Sequence, residues 1–217
     1  MQIRKFEHKD RKEVRQITYE TAFMGEAASV FFDGQEIISD ALSLYFTDYE
    51  PESCFVCQVD QEIAGYLFGA KNMAVSEKLI SKKIIPRIFW QALTSNALLK
   101  KKNIVFIFKV LLSLIKGEFV APDFKKMYPA ILHINIKDGY RNLGIGAKLI
   151  SAYLEYLKKE KITGVHLATM SKEAGNFFAK RGFGLLYETK RSYFSHILHK
   201  DVPLLFYGRR LYISICK

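Results

Sequence analysis

The chain has 217 residues, 49% of them hydrophobic and 25% charged, which is the balance of a soluble globular domain with a sizeable core and not of a disordered or collagen-like chain. Three cysteines, an odd number, argue against a self-contained disulfide framework. The net charge of +11 is unevenly spread: twelve of the 33 basic and three of the 22 acidic residues lie in 71–128, which leaves +9 there and +2 in everything else.

In chain order, Ile3–Phe6 reads as a short strand, and the charged start Met1-Gln-Ile-Arg-Lys-Phe-Glu is not a signal peptide. Asp10 and Glu13 have the spacing of a capping box before a helix carrying Val14, Ile17 and Ala22. Phe23–Gly34 is loop-like. Ile38, Ala41, Leu42 and Tyr45 mark a second helix that ends before Pro51. Cys54–Val59 and Ile63–Ala70 are apolar runs around Asp60-Gln-Glu62, a hairpin signal without the usual glycine. Gly65 predicts a bulge or a close approach. Cys54 and Cys57 form C-x-x-C, but three residues apart on a strand they point to opposite faces. Two buried thiols in a reducing cytoplasm are expected, not a redox or zinc pair.

Residues 71–128 break this rhythm and read as two or three helices inserted into the chain. The run Asn103–Ile115 is shorter than the roughly 20 apolar residues a bilayer requires, and Lys109 interrupts it, so no transmembrane segment is expected. Ile104, Ile107, Phe108, Leu111, Leu112 and Ile115 recur at spacings of three and four, which predicts a helix with one apolar face. That face needs cover from the domain, from a second subunit, or from a membrane surface against 84–115. Two roles fit the segment: a lid or wall over a binding site, its charge attracting an acidic ligand, or a solvated basic face.

Ala130–Ile136 alternates and reads as the central strand. Asp138-Gly-Tyr-Arg-Asn-Leu-Gly-Ile-Gly-Ala147 follows, and then a helical pattern through Leu149, Ile150, Tyr153, Leu154 and Leu157. A strand thus feeds a glycine-rich turn that opens a helix. The first amides of a helix have no partner inside it, and its positive end suits a phosphate. Val165–Leu167 gives another strand, Ala174–Lys180 a short helix stopped by Gly182, and Leu185–Tyr187 and Leu204–Tyr207 the closing strands. Strands alternating with helices indicate a mixed α/β, or α+β, domain spanning 1–217.

Two phosphate loops fail against the turn. The dinucleotide fingerprint needs a third glycine where Leu149 stands, and the nucleotide P-loop needs lysine after Gly144, where Ile145 stands. The remaining pattern, Arg141-x-x-Gly144-x-Gly146-Ala147, resembles the pyrophosphate-binding signature of the GNAT acyl-CoA N-acyltransferases. The resemblance covers residues 1–70 and about 128–210, and it includes Arg181-Gly182-Phe183 at the end of the short helix. Tyr128-Pro-Ala130 and Gly164-Val-His-Leu167 look like bacterial members related to the acetyltransferase-like domain of O-GlcNAcase. The family implies a GNAT fold, with a central mixed but mostly antiparallel sheet flanked by helices and, here, the helical insertion. It implies acetyl-CoA as co-substrate, without a metal. It also implies a cofactor site of Ile134 and Ile136 on the strand, Arg141, Asn142, Leu143, Gly144, Ile145, Gly146 and Ala147 in the loop, and Ser171 and Phe178 beyond it.

The departures are at those last two positions. The family's general-acid tyrosine falls on Phe178 and its asparagine on Ser171, and a phenylalanine cannot protonate a thiolate. Strand alternation puts His133 and Asn135 on one face and Leu132, Ile134 and Ile136 on the other. His133 has the chemistry of a base, so His133 and Asn135 are the catalytic candidates, although a packed, hydrogen-bonded histidine explains the same residue. His166 could share that environment. His196 and His199 lack the further ligands a metal needs. Three function classes follow in order: an N-acetyltransferase acting on a small-molecule or peptide amine, a GNAT-fold binding module without turnover, and a surface-binding protein that uses the basic insertion. A homodimer or a peripheral membrane contact is compatible with the insertion; nucleic acid is not expected as a partner.

Overall fold

A computed structural model of the chain describes residues 1–211; Cys216 lies outside them. One sheet of seven strands organises the molecule: β1 (Gln2–Lys5), β2 (Phe55–Val59), β3 (Glu62–Ala70), β4 (Ala130–Ile136), β5 (Gly164–Thr169), β6 (Gly184–Arg191) and β7 (Val202–Arg210), in the order β1-β2-β3-β4-β5-β7-β6. Every pairing is antiparallel except β4 with β5. The mixed, mostly antiparallel sheet of the sequence reading is therefore the fold.

The two faces of the sheet carry different helices. α6 (Ile145–Lys159) and α7 (Lys172–Ala179) cover one face, where Leu149, Ile150, Tyr153 and Leu157 meet Leu67, Leu132 and Val165. Each of those buried side chains contributes roughly 1.5–3 kcal/mol. α1 (Arg11–Glu20) and α2 (Gln35–Asp48) cover the other face, through Val14 and Ile17 against Val56, Tyr66 and Phe68. Cys54 and Cys57 are buried and free, in the cores on opposite faces, as strand alternation requires.

The hairpin and Gly65 follow the sequence reading, and the first helix cap does not. The hairpin between β2 and β3 turns on Asp60 and Gln61, both at positive φ (46° and 72°), without glycine. Gly65 lies at a register shift and also at a close approach: a Cβ there would stand 2.7 Å from Ile136 Cδ1. The capping box at Asp10 and Glu13 does not form. Arg4 takes both oxygens of Asp10 (2.6 and 2.8 Å), and Glu13 accepts from the amide of Ile63 (3.0 Å). Asp10 instead caps the preceding turn, accepting from the Glu7 amide (2.9 Å), and Arg4 neutralises its charge.

Between β3 and β4, which pair directly (Ala70 with Ile131), the chain makes three helices: α3 (Met73–Leu79), α4 (Ile85–Thr94) after a π-turn at Ile80–Ile84, and α5 (Lys101–Ile115). An aromatic cluster ties them to the α1–α2 loop and to the β6–β7 connection. Phe106 lies 4.7 Å from Phe31, and Phe23 lies 4.9 Å from Phe194. Buried Asn103 donates to the carbonyls of Asp33 (3.0 Å) and Ala97 (2.9 Å) and accepts from the Asp33 amide (2.7 Å). Buried Asp40 accepts from Arg15 on α1 and from Gln91 on α4 (2.8 Å), which joins three helices through one carboxylate.

Candidate active site

β4 and β5 are paired only at Ala130–Val165 and Ile131–His166, and then they part. β4 stays with β3 and β5 with β7. The fork opens into a cleft of about 810 Å³, lined by Leu132–Ile136 on one prong and Leu167–Ser171 on the other. Past Ile131, the main-chain groups of β4 that face away from β3 have no strand partner among the described residues, and a buried polar backbone requires one.

The glycine turn closes one end of the fork. Gly144 caps α6 at φ 78°, with open space where its Cβ would be. Asn142 is also left-handed, at φ 65°. Among the described residues, no hydrogen bond is donated by the main-chain amides of Arg141 to Ala147. Gly146 is needed for another reason: a Cβ would lie 2.9 Å from Phe177, which packs over the turn of the helix. Free amides, the positive end of a fifteen-residue helix and an unobstructed approach make an anion site.

On the opposite face of β4, Asn135 Nδ2 donates to the Tyr66 hydroxyl (2.9 Å) and to Nε2 of His133 (3.2 Å). Tyr66 is fully buried and shares a further hydrogen bond with Thr18 (2.9 Å). His133 is exposed where it faces the cleft. The protein crowded around the cleft desolvates the ring and pushes its pKa down to about 4, so it is neutral at pH 7. Opposite stands the α1–α2 loop, with Thr21, Ala22, Met24 and Gly25 on the cleft. Arg141 reaches across and donates to the Gly25 carbonyl (2.7 Å).

The sequence model of the Acetyltransferase (GNAT) family matches residues 22–183. The chain belongs to the GNAT acetyltransferase family. It is thus an acyl-CoA N-acyltransferase. Solved structures share the fold: SsHAT, at 21% identity and TM-score 0.74 over 97% of this chain and 98% of that one; a ribosomal-protein-alanine N-acetyltransferase from Brucella melitensis, at 13% and 0.56 over 97% and 100%; and yncA from Salmonella typhimurium with its cofactor acetyl-CoA, at 11% and 0.57 over 99% and 98%. No curated protein sequence matches the chain significantly.

In this GNAT enzyme the predicted residues divide. Ile134, Ile136, Arg141, Asn142, Gly144, Ile145 and Gly146 come together on the cleft, whereas Leu143 and Ala147 do not line it and Leu143 points to solvent. Ser171 is the N-cap of α7; its hydroxyl accepts from the Ala174 amide (3.1 Å) and donates to Glu173 (2.8 Å). Phe178 is a core residue, edge-on to Phe177 and Phe183, and it also lines the cleft. His133 and Asn135 share the cleft, but His166 does not. It is buried on the insertion side, where Nδ1 lies 2.7 Å from the Tyr128 carbonyl and Nε2 3.1 Å from Met73 Sδ. No residue of 71–128 lines the cleft among the described residues, so the insertion backs the α1–α2 loop and does not roof the site. Sequence reading missed Tyr66 and the Met24–Gly25 turn. Tyr66 is identified only by the register that sets it opposite Asn135.

Proposed function

We propose that the protein transfers an acetyl group from acetyl-CoA to an amine of a small molecule or peptide. One arrangement supports this: an unpaired strand edge runs from free helix-end amides past a neutral imidazole, with one cleft reaching both faces of the strand. The amides of Arg141–Ala147 and the positive end of α6 bind the pyrophosphate. The edge of β4 hydrogen-bonds the pantetheine arm, and Ile134, Ile136 and Phe177 give it an apolar floor. A main-chain amide of β4 polarises the thioester oxygen, where charge develops.

The acceptor enters between the α1–α2 loop and the His133–Asn135 pair. Thr21, Ala22, Met24, His133 and Asn135 carry no charge there, which favours the neutral, nucleophilic form of an amine. Its nitrogen attacks the thioester carbon. The tetrahedral intermediate collapses and the carbon–sulfur bond breaks. The nitrogen's proton passes to His133, directly or through water, and on to solvent. The thiolate takes its proton from water, because the side chain at 178 has none to give. Positioning of the two substrates supplies much of the rate. Free, buried Cys54 and Cys57 are consistent with a reducing cytoplasm.

Thiol release from acetyl-CoA against panels of amino sugars, aminoglycosides, polyamines, amino acids and peptides tests the proposal. Turnover confined to one amine class is the expected result. Saturable acetyl-CoA binding without thiol release for any amine would leave a binding module and overturn it.

A further inference from the structure

The helices between β3 and β4 leave an apolar surface that none of the described residues covers. On α5, Ile104, Phe108, Leu111 and Ile115 recur at spacings of four, three and four, which is one stripe of a helix, and all four are exposed, Ile115 by 83%. The opposite side of α5 is the buried one, through Asn103, Phe106 and Ser113. On α4, Ile85, Phe89 and Leu93 repeat at spacings of four and are likewise exposed, and Trp90 is 67% exposed. α4 is held to the body by Ile88, Ala92 and Gln91 on its other side. Soluble monomers seldom leave this much contiguous apolar surface without a partner.

We propose that α4 and α5 seat this protein on an anionic lipid surface, lying in the interface with their apolar stripes down. Charge selects this partner over a second copy of the chain. Residues 71–128 carry +9, and Lys82, Lys100, Lys101 and Lys109 make no ion pair among the described residues. Two such surfaces pressed together would set like charge against like charge. A bilayer with anionic headgroups supplies the opposite charge and accepts the apolar side chains in one step. Trp90 has the amphipathic ring that prefers the headgroup level. Neither helix is long and apolar enough to cross a membrane, which fits a helix pair lying in the interface and not through it.

The same tryptophan makes the test direct, because it is the only one in the chain. The full-length protein is mixed with vesicles of phosphatidylcholine alone or of phosphatidylcholine doped with phosphatidylglycerol, and both co-sedimentation and Trp90 emission are read. The expected result is co-sedimentation and a blue shift with the doped vesicles only, reduced about tenfold or more when salt rises from about 0.1 M to about 1 M, where screening shortens to a few ångströms. Phe89→Asp with Phe108→Asp should abolish binding, and Lys82→Glu with Lys101→Glu should weaken it. These side chains are exposed, so both pairs should keep the wild-type circular dichroism and acetyl-CoA thermal shift. Absence of wild-type binding to doped vesicles at low salt would overturn the proposal. So would a wild-type dimer in sedimentation velocity that the Phe89/Phe108 pair dissociates, because a second copy would then be the cover.

Discussion

Asn135 holds His133 from the side: its amide donates to Nε2 across 3.2 Å while its second hydrogen faces the Tyr66 hydroxyl at 2.9 Å. The ring is therefore fixed by a partner that is itself anchored on a buried tyrosine of the neighbouring strand.

His133→Ala is expected to lower kcat/KM at least tenfold, about 1.4 kcal/mol of barrier. Because its pKa is pushed down to about 4, the wild-type acid limb should show no break near 6.5. The sign for stability is the same. The unfolded ring has its ordinary value near 6.5, so between about 4 and 6.5 the unfolded chain binds more protons. The contribution is intact above 6.5 and is lost as pH falls towards 4. Denaturant midpoints at pH 7 and pH 5 should therefore separate less in His133→Gln than in the wild type.

Gly144→Glu and Gly146→Glu each put a carboxylate beside the free amides of the turn and should weaken acetyl-CoA by at least tenfold, about 1.4 kcal/mol. Gly146→Ala should weaken it too, because the new Cβ meets Phe177 at 2.9 Å. Isothermal calorimetry with coenzyme A reads all three. Unchanged affinity in both glutamate variants would remove the turn from the site.

Phe178→Tyr should not abolish turnover, since Phe178 is buried among Phe177 and Phe183 and its side chain has no proton to give. A hydroxyl forced into that core without a partner costs about 1–3 kcal/mol, so the variant should melt several degrees lower. A large gain in kcat would mean instead that the new hydroxyl reaches the leaving thiolate.

Asp40→Ala should destabilise the fold by about 3 kcal/mol, because largely buried Arg15 would lose its buried partner and keep only Glu36, which is exposed. Burial opposes the Asp40 charge, but Gln91, Arg15 and Arg87 outweigh it and hold the carboxyl below its usual range. A depressed carboxyl stabilises the fold above its unfolded value near 3.9, and that stability is lost as pH falls further. Thermal melts at pH 7 and pH 3 should converge between wild type and variant at the lower pH.

What the sequence determined by itself was local. Alternation in Ala130–Ile136, the glycine turn at Gly144 and Gly146 and the three-and-four spacing through Leu149–Leu157 depend on near neighbours, so the strand, turn and helix were legible. So was the missing hydroxyl at Phe178, which is a matter of identity. The sides of β4 were also legible, because a strand alternates by geometry.

Tertiary structure decided whatever depended on partners far along the chain. β4 has an open edge because β5 turns away to pair with β7, and no pattern within either strand encodes that fork. Asp10 caps the turn before the one its spacing to Glu13 suggests, accepting from the Glu7 amide while Arg4 holds both of its oxygens. His166, which has a strand pattern like that of His133, is sealed beside Met73 and Tyr128. The apolar stripe on α5 was readable in the sequence, but its exposure was not. Periodicity says only that a helix has an apolar face; what lies against it depends on how the whole chain packs.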